Sequence, residues 1–337
     1  LEVLCARQNE TAALKYVLER LEDSFPLDKI SYQRLKSSTA NIYKINFGSS
    51  DTSKKIIVKI YKKNKNLDTD VSSSKNDYNF LNQLSKYCFN ISDLLIPRVI
   101  MHLPEINCIV MESEDGLSLK EHILLNSRSS SKKEWNKIEV YYMKVGRVIG
   151  LIQTRTYKQT SDNSTSYLIK KLERIKTQIK YLRIVPLQQY FRPALRYIEE
   201  VSVSRDLGIA WTHGDLNPGN ILINNQDKVV LLDFAESRFD SPYYDISSFT
   251  VRTLIDYGYN PLRYSSYHLQ RLNYNFLKGY SSSFPHKISD KIFNYYSILQ
   301  LIQYNSLLYK SRIFSLVSPR DLYALLVLRN ACKYYMK

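Results

Sequence analysis

Glycine is scarce in this 337-residue chain, at nine residues, and cysteine and tryptophan are scarcer still, at four and two. So little glycine excludes collagen-like repeats and glycine-rich low-complexity segments. Cys5, Cys88, Cys108 and Cys332 lie far apart, form no C-x-x-C pair and match no zinc spacing. They read as free thiols of a reducing compartment. No apolar run approaches the roughly 18 residues that a membrane span needs; the run at 324–328 is typical. The opening segment is charged throughout and lacks a signal-peptide apolar stretch, which sets the expectation of a cytoplasmic protein. Because the chain begins at Leu1 and not at Met, an upstream start stays open. Acidic residues are short as well: 32 Asp and Glu stand against 48 Lys and Arg, a net charge of +16. That field favours anionic partners such as nucleotides, phosphosugars or an anionic membrane face. The 28 tyrosines, with abundant Lys, Asn and Ile, show that an AT-rich coding sequence accounts for the skew equally well.

What is present is globular. Hydrophobic residues make up 44% and charged residues 24%, which excludes a disordered chain. Leu14, Val17, Leu18 and Leu21 share one face of a helix expected over 10–22. Strands are expected at 30–36, 41–47 and 55–61, separated by Ser-rich and Gly-Ser breaks. A helix carrying Tyr78, Leu81, Leu84 and Tyr87 follows the serines at 72–74. Two more strands, 98–103 and 107–111, are joined by the turn Pro104-Glu105-Ile106. After Gly116 the pattern turns helical, with candidates at 117–125, 134–157, 167–183, 186–203, 261–280, 287–310 and 319–336. Inside this region, 208–239 reads as β structure. There the apolar runs 221–223 and 229–232 flank Asn224-Asn225-Gln226-Asp227 as a hairpin. The organisation is an α+β, two-lobed chain: residues 1–111 form an N-terminal lobe of antiparallel sheet plus helix, and residues 112–337 form a larger helical lobe. The basic segment 170–183 reads as a solvated helix face, with peripheral contact to an anionic membrane within its reach. Nucleic acid is not an expected partner.

One segment is far more informative than the rest: Trp211-Thr-His-Gly-Asp-Leu-Asn-Pro-Gly-Asn-Ile-Leu-Ile223, followed by Asp233-Phe234. It supplies two carboxylates and an amide, Asp215, Asn220 and Asp233. The first two lie on a loop and the third follows an apolar strand. Magnesium takes hard oxygen ligands and keeps several waters, so an Asn carbonyl and an Asp carboxylate suffice where phosphates supply the rest. A further carboxylate can face a hydroxyl and take its proton. Gly214 and Gly219 place two of the nine glycines in this loop, which points to tight backbone geometry.

His213-Gly-Asp-x-x-x-x-Asn220 with Asp233-Phe234 resembles the catalytic loop and metal-binding strand of the aminoglycoside phosphotransferase/choline kinase family, which has the protein-kinase-like fold. Asp240-Ser-Pro-Tyr-Tyr-Asp-Ile-Ser247 is similar to the family's D-P-x-x-D-L-A segment. Ser37-Ser-Thr-Ala-Asn-Ile-Tyr-Lys-Ile45 resembles its nucleotide loop, Ile56-Ile-Val-Lys-Ile60 its phosphate-lysine strand, and Val110-Met-Glu-Ser-Glu-Asp-Gly116 its hinge. The resemblance runs over about residues 31–250. It implies ATP and Mg²⁺ as cofactors and the following roles. Asp215 would be the catalytic base, and Asn220 and Asp233 would hold the metal. Lys59 would contact the phosphates and Asp77 would be its acidic partner. Ser38 and Asn41 would lie on the nucleotide loop, while Met111, Glu112 and Glu114 would present backbone groups to adenine. His213 would brace the loop and Asp245 would anchor its backbone. Where the family usually carries Glu, Asp77 is one methylene shorter, so a longer or water-mediated contact with Lys59 is expected.

Two functions follow. The first is a kinase transferring the γ-phosphoryl group to a hydroxyl of a small molecule or glycan, with a choline/ethanolamine-type kinase as a variant. The second is a non-catalytic binding module of the same fold. The intact set Lys59, Asp215, Asn220 and Asp233 favours the first. Absence of G-x-G-x-x-G and A-P-E disfavours a protein kinase. Residues 251–337 hold twelve Lys or Arg against three Asp or Glu, so the expected acceptor is neutral or anionic.

Overall fold

The computed structural model describes residues 8–22, 30–35, 40–47, 54–62, 73–127, 131–159, 208–258, 264–311 and 327. The expected helices 167–183, 186–203 and 319–336, the basic segment 170–183, Ser38, Cys5 and Cys332 lie outside the described residues. The chain divides into two compact units. The first comprises Leu1–Phe89, Leu95–Gly116 and Asp233–Ser237; the second comprises Asn90–Leu94, Leu117–Leu232 and Arg238–Lys337. The short segment that begins at Asp233 therefore packs with the N-terminal elements although the chain reaches it through the second unit.

The first unit is built on helix α1 (Gln8–Leu21), strands β1 (Ile30–Leu35), β2 (Ala40–Phe47) and β3 (Lys54–Tyr61), and helix α2 (Ser73–Cys88). After β4 (Leu94–Leu95), whose first residue belongs to the second unit, strands β5 (Val99–Leu103) and β6 (Cys108–Glu112) follow. Five strands form one antiparallel sheet in the order β1-β2-β3-β6-β5. Alternation along β2 and β3 sorts its two faces. Tyr43, Ile45, Phe47, Ile56, Val58, Ile60, Cys108 and Val110 bury one face against Leu14, Val17 and Leu21 of α1. The i, i+3, i+7 spacing of those three residues is what makes α1 a cover for the sheet. Each such side chain contributes about 1.5–3 kcal/mol of burial. The opposite face carries Lys59, which pairs in register with Ile42 on one side and Ile109 on the other.

The second unit contains β7 (Gly116–Ser118, beginning at the last residue of the first unit), α3 (Leu119–Asn126) and α4 (Lys132–Thr156), then β8 (Ala210–Thr212), β9 (Ile221–Asn224), β10 (Val229–Leu231) and β11 (Arg238–Asp240). Helices α5 (Tyr243–Gly258), α6 (Ser266–Ser281) and α7 (Asp290–Ser311) complete the described elements. Ser118 and Glu121 close a reciprocal capping box at the start of α3. The hairpin expected from the apolar runs is β9–β10, with Val229 opposite Ile223 and Leu231 opposite Ile221. A second antiparallel pair, β8–β11, is additional to the expected elements. So is α5, twelve of whose sixteen residues are buried. Helices α4 and α6 cross at glycines. A Cβ on Gly146 would lie 2.0 Å from the Phe276 carbonyl oxygen, and one on Gly279 would lie 1.9 Å from that of Met143. Phe249 of α5 packs at a tilt against both helices, 4.3 Å from Phe276 and 5.1 Å from Tyr142 between ring centres. Among the described residues no helix is long and apolar enough to cross a membrane.

Candidate active site

In the second unit the chain leaves β8 at Thr212 and enters β9 at Ile221, so both ends of the intervening loop are fixed in sheets. Gly214 takes φ 84°, in the left-handed region where a Cβ is disfavoured, as the glycine count in the loop had suggested. Asp245, in the first turn of α5 and 1% exposed, holds the loop from below. Its carboxylate accepts the His213 backbone N–H at 2.7 Å and that of Gly214 at 3.1 Å. Gln153 of α4 adds a third donor at 3.3 Å. Burial pushes the Asp245 carboxyl above its ordinary value, opposed by His213 and these N–H donors. The His213 ring is buried and its Nε2 lies 2.8 Å from the Leu232 carbonyl oxygen. That makes Nε2 the protonated nitrogen and leaves Nδ1 as an acceptor, 3.4 Å from the Asp215 N–H. His213 is thus a brace, as the resemblance implied.

Asn217 accepts the Gly219 N–H at 2.9 Å and closes the short 3₁₀ turn Pro218–Asn220. This presents Asn220, whose amide nitrogen donates to the Asp215 carbonyl at 2.9 Å and to the Asp215 carboxylate at 3.1 Å. With the nitrogen spent there, the oxygen end of Asn220 is the hard acceptor that magnesium prefers. Asp215 stays half-buried. A cation that sequence reasoning missed lies near it: Arg252 of α5, 3.3 Å from Asp256. Burial lowers the Arg252 pKa, Asp256 and then Asp215 raise it, and the net direction is upward. Arg252 sits seven residues after Asp245 and so on the same side of the helix. Its signal was absent because α5 did not read as a helix.

The first unit holds a separate cluster. Lys59, 5% exposed, donates to Asp77 of α2 at 2.9 Å and to Asp233 at 2.8 Å. The shorter Asp side chain reaches Lys59 directly, with no water between, because Asp77 is fully buried at the sheet-facing side of α2. Burial works to lower the Lys59 pKa, but Asp77 and Asp233 outweigh it and the net direction is upward. Asp233 adopts φ 68°, a left-handed conformation that costs a non-glycine residue about 1 kcal/mol or more. Its neighbours hold it there. The Phe234 N–H donates to Asp77 at 2.9 Å, the Phe234 ring stacks on Phe80 at 4.7 Å, and the Asn76 amide donates to the carbonyls of Ala235 and Ser237 at 2.7 and 2.9 Å. The Asp233 carboxylate is 31% exposed and offers the hard charged oxygen that a Mg²⁺–phosphate complex takes. Glu236 is exposed.

The remaining expected residues divide. Met111 pairs with Ile57 and so shares the Lys59 face. Asn41 pairs with Ile60 and lies on the other face, where it accepts a hydrogen bond from Arg34 at 2.9 Å. Glu112 is ion-paired with Arg98 at 2.6 Å. The backbone N–H groups of Glu112 and Ser113 are used on the carbonyls of Arg98 and Lys55. Glu114 is half-buried. Among the described residues no cluster of three or more His, Cys, Asp or Glu could hold a metal by itself.

Residues 128–263, which include the braced loop and the Asp233 segment, match the phosphotransferase enzyme family. The fold is that of the kinases of this group. Choline kinase LicA from Streptococcus pneumoniae is similar with a TM-score of 0.60 at 16% identity, over 96% of this chain and 100% of that one. Amicoumacin kinase hAmiN, in complex with AMP-PNP, Ca²⁺ and Ami, gives 0.59 at 16%, over 97% and 96%. A thermostable mutant of aminoglycoside phosphotransferase APH(4)-Ia, in ternary complex with ADP and hygromycin B, gives 0.61 at 11%, over 95% and 97%. No curated protein sequence matches the chain. The resemblance to the aminoglycoside phosphotransferase/choline kinase family therefore holds in sequence over the matched segment and in the protein-kinase-like fold over nearly the whole chain.

Proposed function

We propose that this protein is an ATP- and Mg²⁺-dependent phosphotransferase that moves the γ-phosphoryl group to a hydroxyl of a small molecule or glycan. The observation that carries the reading is Lys59 bonded at once to Asp77 and Asp233, residues 18 and 174 positions away in sequence. A buried ammonium shared between two carboxylates is costly to assemble, and phosphoryl transfer is the chemistry that uses it. Lys59 would bind phosphate oxygens. Asp233 and Asn220 would be the metal's protein ligands, and Mg²⁺ would neutralise charge on the transferring group. Met111, Glu112 and Glu114 would adjoin adenine. Asp215, oriented by Asn220, would take or orient the acceptor hydroxyl proton. The full complement of these residues favours catalysis over a binding module. We read the acceptor as neutral or anionic and the site of action as the cytoplasm, where ATP is plentiful.

The test is ATP consumption by purified protein with a panel of aminoglycosides, choline and ethanolamine, neutral sugars, and phosphorylated sugars, with and without Mg²⁺. Acceptor-dependent ADP release that requires Mg²⁺ supports the reading. Failure to bind MgATP in calorimetry would overturn it.

A further inference from the structure

Lys59 has three N–H donors, and its three partners differ in kind. One is Asp77, 0% exposed, and one is Asp233, whose side chain is 31% exposed. The third is Tyr61, two residues along β3 on the same face and 4% exposed, whose hydroxyl oxygen accepts from Lys59 at 2.6 Å. Nothing in the functional reading uses Tyr61. Yet its hydroxyl also donates to the Asp77 oxygen Oδ2 that Lys59 contacts, closing a three-membered ring of hydrogen bonds. The Tyr61 ring lies 4.8 Å from the ammonium, and the Tyr61 backbone N–H is tied to the Asn107 carbonyl at 2.9 Å. The second Asp77 oxygen is occupied by the Phe234 N–H.

We propose that Tyr61 is a positioning residue of the nucleotide site: its hydroxyl, shared between Lys59 and Asp77, fixes two of the ammonium's donors so that the third, the one on Asp233, is traded for a phosphate oxygen. This rests on the phosphotransferase reading and adds the order of exchange to it. The Asp233 bond is the one to give way because its acceptor is the partner with the most solvent access and the one the functional reading assigns to the metal. When Asp233 turns its carboxylate to a cation, it releases a Lys59 donor, so the metal and the phosphates are bound cooperatively through one hydrogen bond. Without the Tyr61 hydroxyl, the ammonium is held by the two carboxylates alone. Its bond to Asp233 tightens, and the phosphate competes less well.

The experiment measures Kd for ATP in EDTA and for MgATP, by calorimetry, in wild type, Tyr61→Phe and Asp233→Asn, with circular dichroism to establish folding. Tyr61→Phe keeps the ring and removes only the hydroxyl. It is expected to weaken MgATP binding about tenfold, as for loss of a hydrogen bond to charged groups, to raise KM for MgATP in proportion, and to leave KM for the acceptor unchanged. A folded Tyr61→Phe protein with wild-type Kd and KM for MgATP overturns the proposal. If that variant does not fold, Asp233→Asn decides. It is expected to bind metal-free ATP about tenfold more tightly than wild type does, because the donor has been released, and to lose the advantage of MgATP over ATP. Unchanged or weaker binding of metal-free ATP by Asp233→Asn overturns the exchange. Absence of ATP binding in wild type, with or without Mg²⁺, overturns the phosphotransferase reading itself and this proposal with it.

Discussion

The Asp215 side chain accepts a 3.1 Å hydrogen bond from the Asn220 amide, which an amide oxygen in its place can also accept. Asp215→Asn is therefore expected to fold normally and to bind MgATP with near wild-type affinity, while kcat falls by roughly 10²–10⁴-fold. Unaltered turnover on a true acceptor would remove Asp215 from the role of base. Asp233→Ala is expected to abolish the Mg²⁺-dependent part of ATP binding, and titration of MgATP into the variant measures it directly. Both positions were singled out in sequence by the His213-Gly214-Asp215 loop and by Asp233-Phe234 after an apolar strand. Tyr61, Asn76 and Arg252 were not. Tyr61 and Asn76 act through contacts 16 to 161 positions away in the chain, and a polar side chain on a strand or helix carries no local mark of such a partner.

At the scale of elements, the strands of the first sheet and the β9–β10 hairpin were readable from alternation and turn chemistry, with ends within a residue or two. Helix α5 was not: Ile246, Phe249, Thr250, Val251, Thr253 and Ile255 are β-branched or aromatic residues that favour a strand when read locally. The α4–α6 crossing was equally silent: Gly146 and Gly150 on α4 and Gly279 on α6, more than 120 residues on, acquire meaning only when the backbones meet. Gly279→Ala is expected to force the two helices apart and to cost at least the roughly 1–3 kcal/mol of an overpacked core, read as a lower urea midpoint. A surface exchange such as Tyr274→Ala on the same helix, 64% exposed, is expected to move it little. In the first unit, Asp115 joins Lys55 at 2.6 Å and Lys44 at 3.0 Å, clamping the turn after β6 to β2 and β3. The Lys55 and Lys44 hydrogen bonds hold the Asp115 carboxyl below its usual range. A depressed carboxylate stabilises the fold above its unfolded pKa, near 4, and loses that contribution as pH falls through the folded value. The stabilities of wild type and Asp115→Asn, from urea unfolding, should therefore differ at pH 6, by less than about 1 kcal/mol for so exposed a clamp, and the difference should shrink as pH falls below about 4. A difference that does not shrink with falling pH would assign the effect to packing.

For the whole molecule the question is which acceptor a charge of +16 admits. A polycation with several amines would approach against that field, and an anion would be drawn in faster at low salt. The expected result is poor kcat/KM for aminoglycosides and, for a phosphorylated acceptor, a kcat/KM that falls as ionic strength rises. Efficient aminoglycoside phosphorylation would show that local acidic groups outweigh the net charge.

The two described cysteines give this protein a built-in chemical clock. Cys88 ends α2 and Cys108 opens β6, both outside any disulfide and at most 1% exposed, and burial, with Glu105 beside it, pushes the Cys108 thiol up to about 12. Neither thiol can react with an alkylating reagent until its own element opens. Peptide-resolved labelling rates would thus time the opening of α2 and of the sheet separately. Any ligand that clamps the Asp77–Lys59 junction should slow the Cys88 clock through the helix they share.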